Sequence, residues 1–368
     1  MPFDALFLTD ELRGSVSASA WADAMLEVER ALSRASAAAG VIATAPALEL
    51  VIDPEELARE ARRSATPAEP LARRLRELSP DAHYGATSQD VIDTAMAIVV
   101  RNAGALVRRE LDGVAAECAR LAEEHRGSVM AGRTLLQQAT PTTFGLKAAG
   151  WLASIVEARE LPPLPVQLGG ASGTLAAFGE RGLDVRRRLA AELALPEPEL
   201  TWHVNRVPVA RLGSALAAAA AACAKIALDV QLLAQTEVAE VRDLHAGPSS
   251  TMPHKRNPVG PTLARACAAT VQAATGVLLH GVHEHERAAG AWQAEWKAVS
   301  DALAYAGGAA SWMRETLAGL EVDVERMRAN IGAETLSEAR RFGGAERPED
   351  YLGSTDELID RALALYRR

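Results

Sequence analysis

Residues 247–261 read Gly-Pro-Ser-Ser-Thr-Met-Pro-His-Lys-Arg-Asn-Pro-Val-Gly-Pro. Four prolines and two glycines in this span exclude one continuous helix or strand. Long alanine-rich helical sequence flanks it on both sides. A helical protein that spends so many residues on a structured loop usually has a use for it. Ser249 and Ser250 supply hydroxyls, His254, Lys255 and Arg256 a basic cluster, and Asn257 an amide. Together with backbone N–H groups these make a site for an anion. The bland alternative is a helix–helix connection with a solvated Lys-Arg pair.

The rest of the composition agrees with a helical protein. Hydrophobic residues are 49% of 368, yet aromatics only 4%, so the apolar content is mostly Ala, Leu and Val, suited to close-packed helices. A net charge of −9 without a compensating basic tract argues against a nucleic-acid surface. Cys118, Cys223 and Cys267 lie far apart in helical sequence and read as small core residues, not a disulfide or metal set. No basic region followed by an apolar stretch opens the chain, and the most apolar run, Leu212 to Ala224, ends at Lys225, short of a bilayer's thickness. The expectation is a cytoplasmic protein without membrane contact.

Along the chain, residues 1–104 alternate short helices with proline-bearing turns, as a first helical domain. Trp21 to Ala39 has helical spacing of Met25, Val28, Leu32 and Ala35. Thr87 and Asp90 form a Thr-x-x-Asp capping box. It is either a plain helix cap or a helix N-terminus offered to a carboxylate. Residues 105–332 read as a central long-helix domain. Its helices are expected over Leu106–Glu124 with Gly127 as C-cap, from Thr140-Pro141 to about Glu160, and from Val209 to Asp243. Two more follow, from Pro261 to about Gly281 and then to about Leu320. Loops lie at 161–182 and 195–208, and Gly169-Gly170 and Gly173 lack the strand–turn–helix setting of a dinucleotide site. His280, His283 and His285 are close in sequence, but no carboxylate or Cys set completes a metal site. Residues 333–368 form a short C-terminal segment.

Ser249-Ser-Thr-Met-Pro-His-Lys-Arg-Asn-Pro258 resembles the signature loop of the fumarase/aspartase superfamily, with Pro248 where that family usually has Gly. His83-Tyr-Gly-Ala-Thr-Ser-Gln-Asp90 resembles its first conserved region. Gly132-Arg-Thr-Leu-Leu-Gln137 resembles its second, with Leu135 where the family pattern has His. Gly85-Ala-Thr-Ser-Gln-Asp, Gly169-Gly-Ala-Ser-Gly, Glu284-His-Glu-Arg, Ala294-Glu-Trp and Tyr351-Leu-Gly are similar to the bacterial 3-carboxy-cis,cis-muconate cycloisomerases. The resemblance implies an all-α fold with a central long-helix bundle, here with a shortened C-terminal domain. It also implies a homotetramer whose active sites are shared between subunits, no cofactor or metal, and a small tricarboxylate substrate.

The same resemblance implies Ser249, Lys255 and Asn257 as catalytic. It implies His83, Thr87, Ser88, Arg133, Gln137, Ser250, His285 and Arg287 as substrate-binding. Superfamily enzymes form an aci-carboxylate dianion, whose charge Lys255 and loop N–H groups would stabilise. A hydroxide leaving group needs a general acid. A carboxylate does not, since its conjugate acid has a pKa of about 4. Leu135 therefore suits lactone formation, or loss of another stable anion such as nitrite, better than hydration of fumarate. A relocated acid would have to be His125, His203 or His285. A non-catalytic helical scaffold is the remaining alternative, against which the Ser249–Lys255–Asn257 set argues.

Overall fold

The computed structural model describes residues 3–248, 251–252, 255–342 and 344–368; Ser249, Ser250 and His254 lie outside them. Helices account for most of the chain. They are α1 Asp4–Phe7, α2 Asp10–Ser15, α3 Ala18–Ala38, α4 Pro54–Ala61, α5 Ala68–Leu78 and α6 Ser88–Glu124. After the hairpin β1 Val129–Thr134 and β2 Gln137–Thr143 come α7 Phe144–Ala158, α8 Gly182–Glu192 and α9 Val207–Leu233. Short strands β3 Val241–Asp243, β4 Gly247–Pro248 and β5 Arg256–Asn257 precede α10 Val259–Leu278 and α11 Ala291–Ala318. The chain ends with β6 Leu320–Val322, α12 Val324–Ala329, α13 Ser337–Phe342 and α14 Thr355–Tyr366. The strands form three two-stranded antiparallel pairs, β1–β2, β3–β6 and β4–β5.

The chain divides into two compact units. The first comprises Met1–Leu106, Leu161–Ala217 and Thr270–Ala304, the second Val107–Glu160, Ala218–Ala269 and Tyr305–Arg368. The divisions fall inside α6, α9, α10 and α11 themselves. In the first unit α3 packs on α8 with Met25, Val28, Leu32 and Ala35 buried, the spacing expected of its apolar stripe. There α9 and α10 approach closely: a Cβ on Gly213 would meet the Leu278 side chain at 3.0 Å, and Thr275 Oγ1 donates to the Gly213 carbonyl at 3.2 Å. In the second unit α14 packs on α7, and α12 on β1. Cys118, Cys223 and Cys267 are all buried free thiols, as expected of core residues.

Several element boundaries differ from the sequence reading. Helix α6 is one uninterrupted helix of 37 residues rather than a new helix from Leu106. Val91, Ile92, Ala95, Met96, Val99, Ala103 and Val107 are buried, a helical spacing that runs straight through Gly104. Gly127 does not adopt the left-handed conformation of a C-cap. The segment expected to lead into a helix at Pro141 is instead the β1–β2 hairpin, with Pro141 opposite Ala131. Helix α7 starts three residues later, where the Thr143 hydroxyl accepts from the Leu146 N–H at 3.1 Å.

Helix α9 has 27 residues, roughly 40 Å. It stops at Leu233 because the chain turns back, with Ala239 at φ 52° and the Glu240 N–H on the Leu233 carbonyl at 2.9 Å. By length and composition α9 would reach across a bilayer, which the shorter run Leu212–Ala224 did not suggest. Half of its most apolar window is buried within the protein.

Candidate active site

In the first unit the expected carboxylate-binding residues gather at the start of α6. Thr87 is the N-cap, and its N–H donates to Asp90 Oδ2 at 3.0 Å, one half of the capping box. Asp90 does more than cap. Its carboxylate also accepts the Gly169 and Gly170 N–H groups at 2.8 and 2.9 Å and lies 2.7 Å from His203 Nε2. The Gly-Gly step that matches no nucleotide fingerprint thus wraps a buried carboxylate, and Gly170 takes φ 71° to do so. With Asp90 fixed from four directions, the first turn of α6 keeps its free N–H groups and the Ser88 side chain at a set place, positive end outward.

Arg287 meets this helix end, its Nη1 on Thr87 Oγ1. It is carried by residues 279–290, an arm without helix or strand between α10 and α11. His285, on the same arm, is exposed and left-handed at φ 44°. His83 is buried, at φ 58°, with Nδ1 2.6 Å from Glu29 Oε1. Glu29 is fully buried on α3. A glutamate on an otherwise apolar helix face, among Val28, Ala31 and Leu32, was the signal that could have marked it.

Beneath the α6 terminus lies a buried charge cluster that the sequence reading missed. Arg206 donates to Asp93 from Nη1 and Nη2 at 2.9 and 3.0 Å, and to Glu295 from Nε at 3.2 Å. All three side chains are essentially inaccessible. Burial opposes the guanidinium charge, but Asp93 and Glu295 outweigh it and hold the Arg206 pKa above its ordinary value. Trp292 Nε1 donates to Asp93 at 2.9 Å, and the guanidinium lies 4.7 Å over the Trp202 ring.

The second unit carries the other two motif regions. Arg133 on β1 forks onto Glu240, from Nη1 at 2.9 Å and Nη2 at 2.6 Å. Asn330 donates to the same carboxylate at 2.9 Å. Gln137 is exposed and pairs with Thr134 in the ladder. Between them Leu135 and Leu136 form the hairpin tip, left-handed at φ 49° and 64° and 96% and 78% exposed. The signature loop is closed at its base by β4–β5, in register Gly247↔Asn257 and Pro248↔Arg256. Lys255 is exposed and Asn257 half-buried.

Of the three histidines that could replace an acid, His203 is buried on Asp90. His125 is half-buried with Nδ1 3.1 Å from Ser128 Oγ and its ring edge-on to Phe144. His285 is open to solvent.

A lyase family model matches residues 7–273. The chain belongs to the fumarase/aspartase superfamily. It is 45% identical to nitrosuccinate lyase of Streptomyces davaonensis, over 96% of this chain and 83% of that protein. It is 42% identical to 3-carboxy-cis,cis-muconate cycloisomerase of Bradyrhizobium diazoefficiens, over 92% of this chain and 81% of that one. Among solved structures, the 3-carboxy-cis,cis-muconate lactonizing enzyme of Pseudomonas putida superposes with a TM-score of 0.89 at 31% identity, covering 100% of this chain and 99% of the other. A fumarate lyase from Mesorhizobium gives 0.85 at 32%, covering 97% and 98%. The mostly helical fold is thus the superfamily's, and the protein is an enzyme of the lyase superfamily.

Proposed function

We propose that this enzyme converts 3-carboxy-cis,cis-muconate to 4-carboxymuconolactone by an intramolecular addition that runs through an aci-carboxylate. One observation carries the reading. Where the superfamily pattern has His, the hairpin tip presents Leu135, with Leu136 beside it and no titratable side chain in the turn. A site with an apolar residue there suits chemistry whose leaving or attacking group is already a stable anion. In lactone formation that group is the substrate's own carboxylate, which attacks the alkene within the same molecule and gains from proximity.

In this scheme Thr87, Ser88 and Arg287 hold one substrate carboxylate at the α6 N-terminus, with His83 and His285 lining the site. Arg133, Gln137 and Ser250 contact the remaining carboxylates. Lys255 and Asn257 stabilise the dianion, and Ser249 delivers the proton to the alpha carbon, taking it in the reverse direction. The superfamily's shared-site arrangement makes the working unit a homotetramer, which light scattering tests directly: an active monomer would remove the shared site.

A second reading is β-elimination of nitrite from nitrosuccinate. The similarity to the Streptomyces davaonensis enzyme favours it, and nitrite likewise leaves without a proton. One assay separates the readings. Loss of the diene absorbance of 3-carboxy-cis,cis-muconate supports the cycloisomerase; nitrite release from nitrosuccinate supports the lyase. Neither activity would overturn both.

A further inference from the structure

Arg287 can serve the carboxylate site only if the arm that bears it is held in place. The 279–290 arm has little of its own to hold it. It turns through left-handed residues at Gly281, His285 and Gly290, φ 51°, 44° and 133°. Its internal hydrogen bonds are local: the Arg287 N–H to the Glu284 carbonyl at 3.0 Å and the Ala289 N–H to Glu284 Oε2 at 2.8 Å. Beside the arm lies a cavity of about 360 Å3, lined by His280, Gly281, His283 and Glu295 and walled by alanines. The start of the arm, from His280 to His283, thus borders a void rather than a fully packed surface.

Among the described residues, two side-chain polar contacts join the 281–290 stretch to the body of its unit. One is Arg287 on Thr87. The other is His283, whose Nε2 lies 3.3 Å from Glu295 Oε1. His283 is an outlier on its arm: Glu284, His285 and Glu286 are exposed, while the His283 side chain is 1% exposed. Its partner is itself held in place by hydrogen bonds. Glu295 is buried on α11 and held by Arg206, which Asp93 grips from α6. That same helix begins at the Thr87 cap. A line of buried polar contacts thus runs from the helix bearing the carboxylate site to the base of the arm bearing Arg287.

We infer that His283 is a positioning residue that pins the 279–290 arm to the buried Asp93–Arg206–Glu295 cluster and so sets Arg287 against Thr87. The inference rests on reading Thr87 and Arg287 as a carboxylate site. Arg287 has many rotamers, and an arm free to swing would spread it over many positions. The pin removes that freedom before substrate arrives, so the lost order is not charged to binding.

The test uses the full-length protein and four variants: His283→Leu, His283→Gln, Arg287→Ala and the double variant His283→Leu/Arg287→Ala. Hydrogen–deuterium exchange of residues 281–289 reports on the arm independently of any activity. Steady-state kinetics with 3-carboxy-cis,cis-muconate, or nitrosuccinate if that is the compound turned over, report on the site. In His283→Leu the arm amides should exchange about tenfold faster or more. KM should rise roughly tenfold with kcat within about twofold, the pattern of lost substrate binding. Gln, which keeps an N–H at similar reach, should recover most of both effects. The double variant should be no worse than Arg287→Ala alone, because an unplaced arginine has little left to lose. If the Leu variant does not fold, His283→Asn, whose amide is too short to reach Glu295, takes its place. Unchanged exchange in the Leu or Asn variant overturns the pin. Faster exchange with unchanged KM, while Arg287→Ala raises KM, overturns the placement. If Arg287→Ala alone leaves KM unchanged, the carboxylate-site reading fails and the placement falls with it, whatever the exchange shows.

Discussion

Arg133 and Glu240 stand 107 residues apart in sequence and share a two-pronged ion pair, at 2.9 and 2.6 Å. Glu240 is fully buried while the Arg133 side chain is 26% exposed. The two truncations should therefore differ. Arg133→Ala leaves the buried carboxylate with Asn330 as its side-chain hydrogen-bond donor among the described residues and should cost on the order of 3 kcal/mol in urea unfolding. Glu240→Ala leaves a guanidinium that can turn to water and should cost clearly less. Arg133→Lys should recover little, since an ammonium cannot fork. Equal losses for both truncations would show that Arg133 does not stabilise the hairpin through Glu240.

Lys255 is exposed in its unit, so Lys255→Ala should leave helical circular dichroism and thermal midpoint unchanged. Turnover should fall by about 10²–10³, the usual cost of removing one oxyanion donor. Ser249→Ala should do likewise. Near-native turnover in both would sink the proposed mechanism.

The hairpin tip makes an unusual demand. Two leucines occupy left-handed positions that a two-residue turn normally gives to Asn-Gly, and both face solvent in the single chain. Replacing them, Leu135→Asn with Leu136→Gly, should raise the thermal midpoint, by about 1 kcal/mol in stability. The same change should lower turnover if the apolar tip serves the site. Leu135→His should not introduce measurable hydration of fumarate, because a histidine added at the tip comes without partners to tune it. Fumarate hydration by that variant would show that the missing His alone separates this enzyme from fumarase chemistry.

Burial holds the His125 pKa below its ordinary 6.5; Glu124 works against this and Arg120 with it. The folded state therefore binds this proton less readily than the unfolded chain does. The stability contributed by the neutral ring is fully present above pH 6.5 or so. It is lost as pH falls through the lower folded value. His125→Gln, which can still meet Ser128, should show a shallower fall in thermal midpoint below about pH 6.5 than the native protein. Identical slopes would mean that His125 does not carry this acid limb.

The three thiols should be chemically silent in the native state. Cys223 and Cys267 are each pushed up to about 12 by burial, and burial raises Cys118 further. A thiol-specific chromogenic reagent should label none of them at pH 8 in native protein and all of them in denaturant. Rapid labelling of native protein would place at least one thiol outside the core.

The sequence by itself determined that the fold is mostly helical and where its apolar stripes lie. These depend on local propensity and short-range periodicity, which neighbouring residues display. The burial of Met25, Val28 and Leu32, the Thr87 cap and the start of α10 near Pro261 all follow from such signals. The tertiary structure decided where buried charges go. Asp90 reads as an ordinary cap residue, yet its carboxylate is shared with Gly169, Gly170 and His203, residues 79 to 113 positions away. Arg206 looks like any loop arginine until Asp93 and Glu295 close on it. Residues 129–143 hold polar and β-branched residues with a proline, a pattern that fits either a connection or a hairpin. Pairing across the turn, and the grip of Glu240 on Arg133, select the hairpin. The physical reason is common to all of these. A buried ionic group is stable only beside its partner, and which partner arrives is settled by the packing of distant segments.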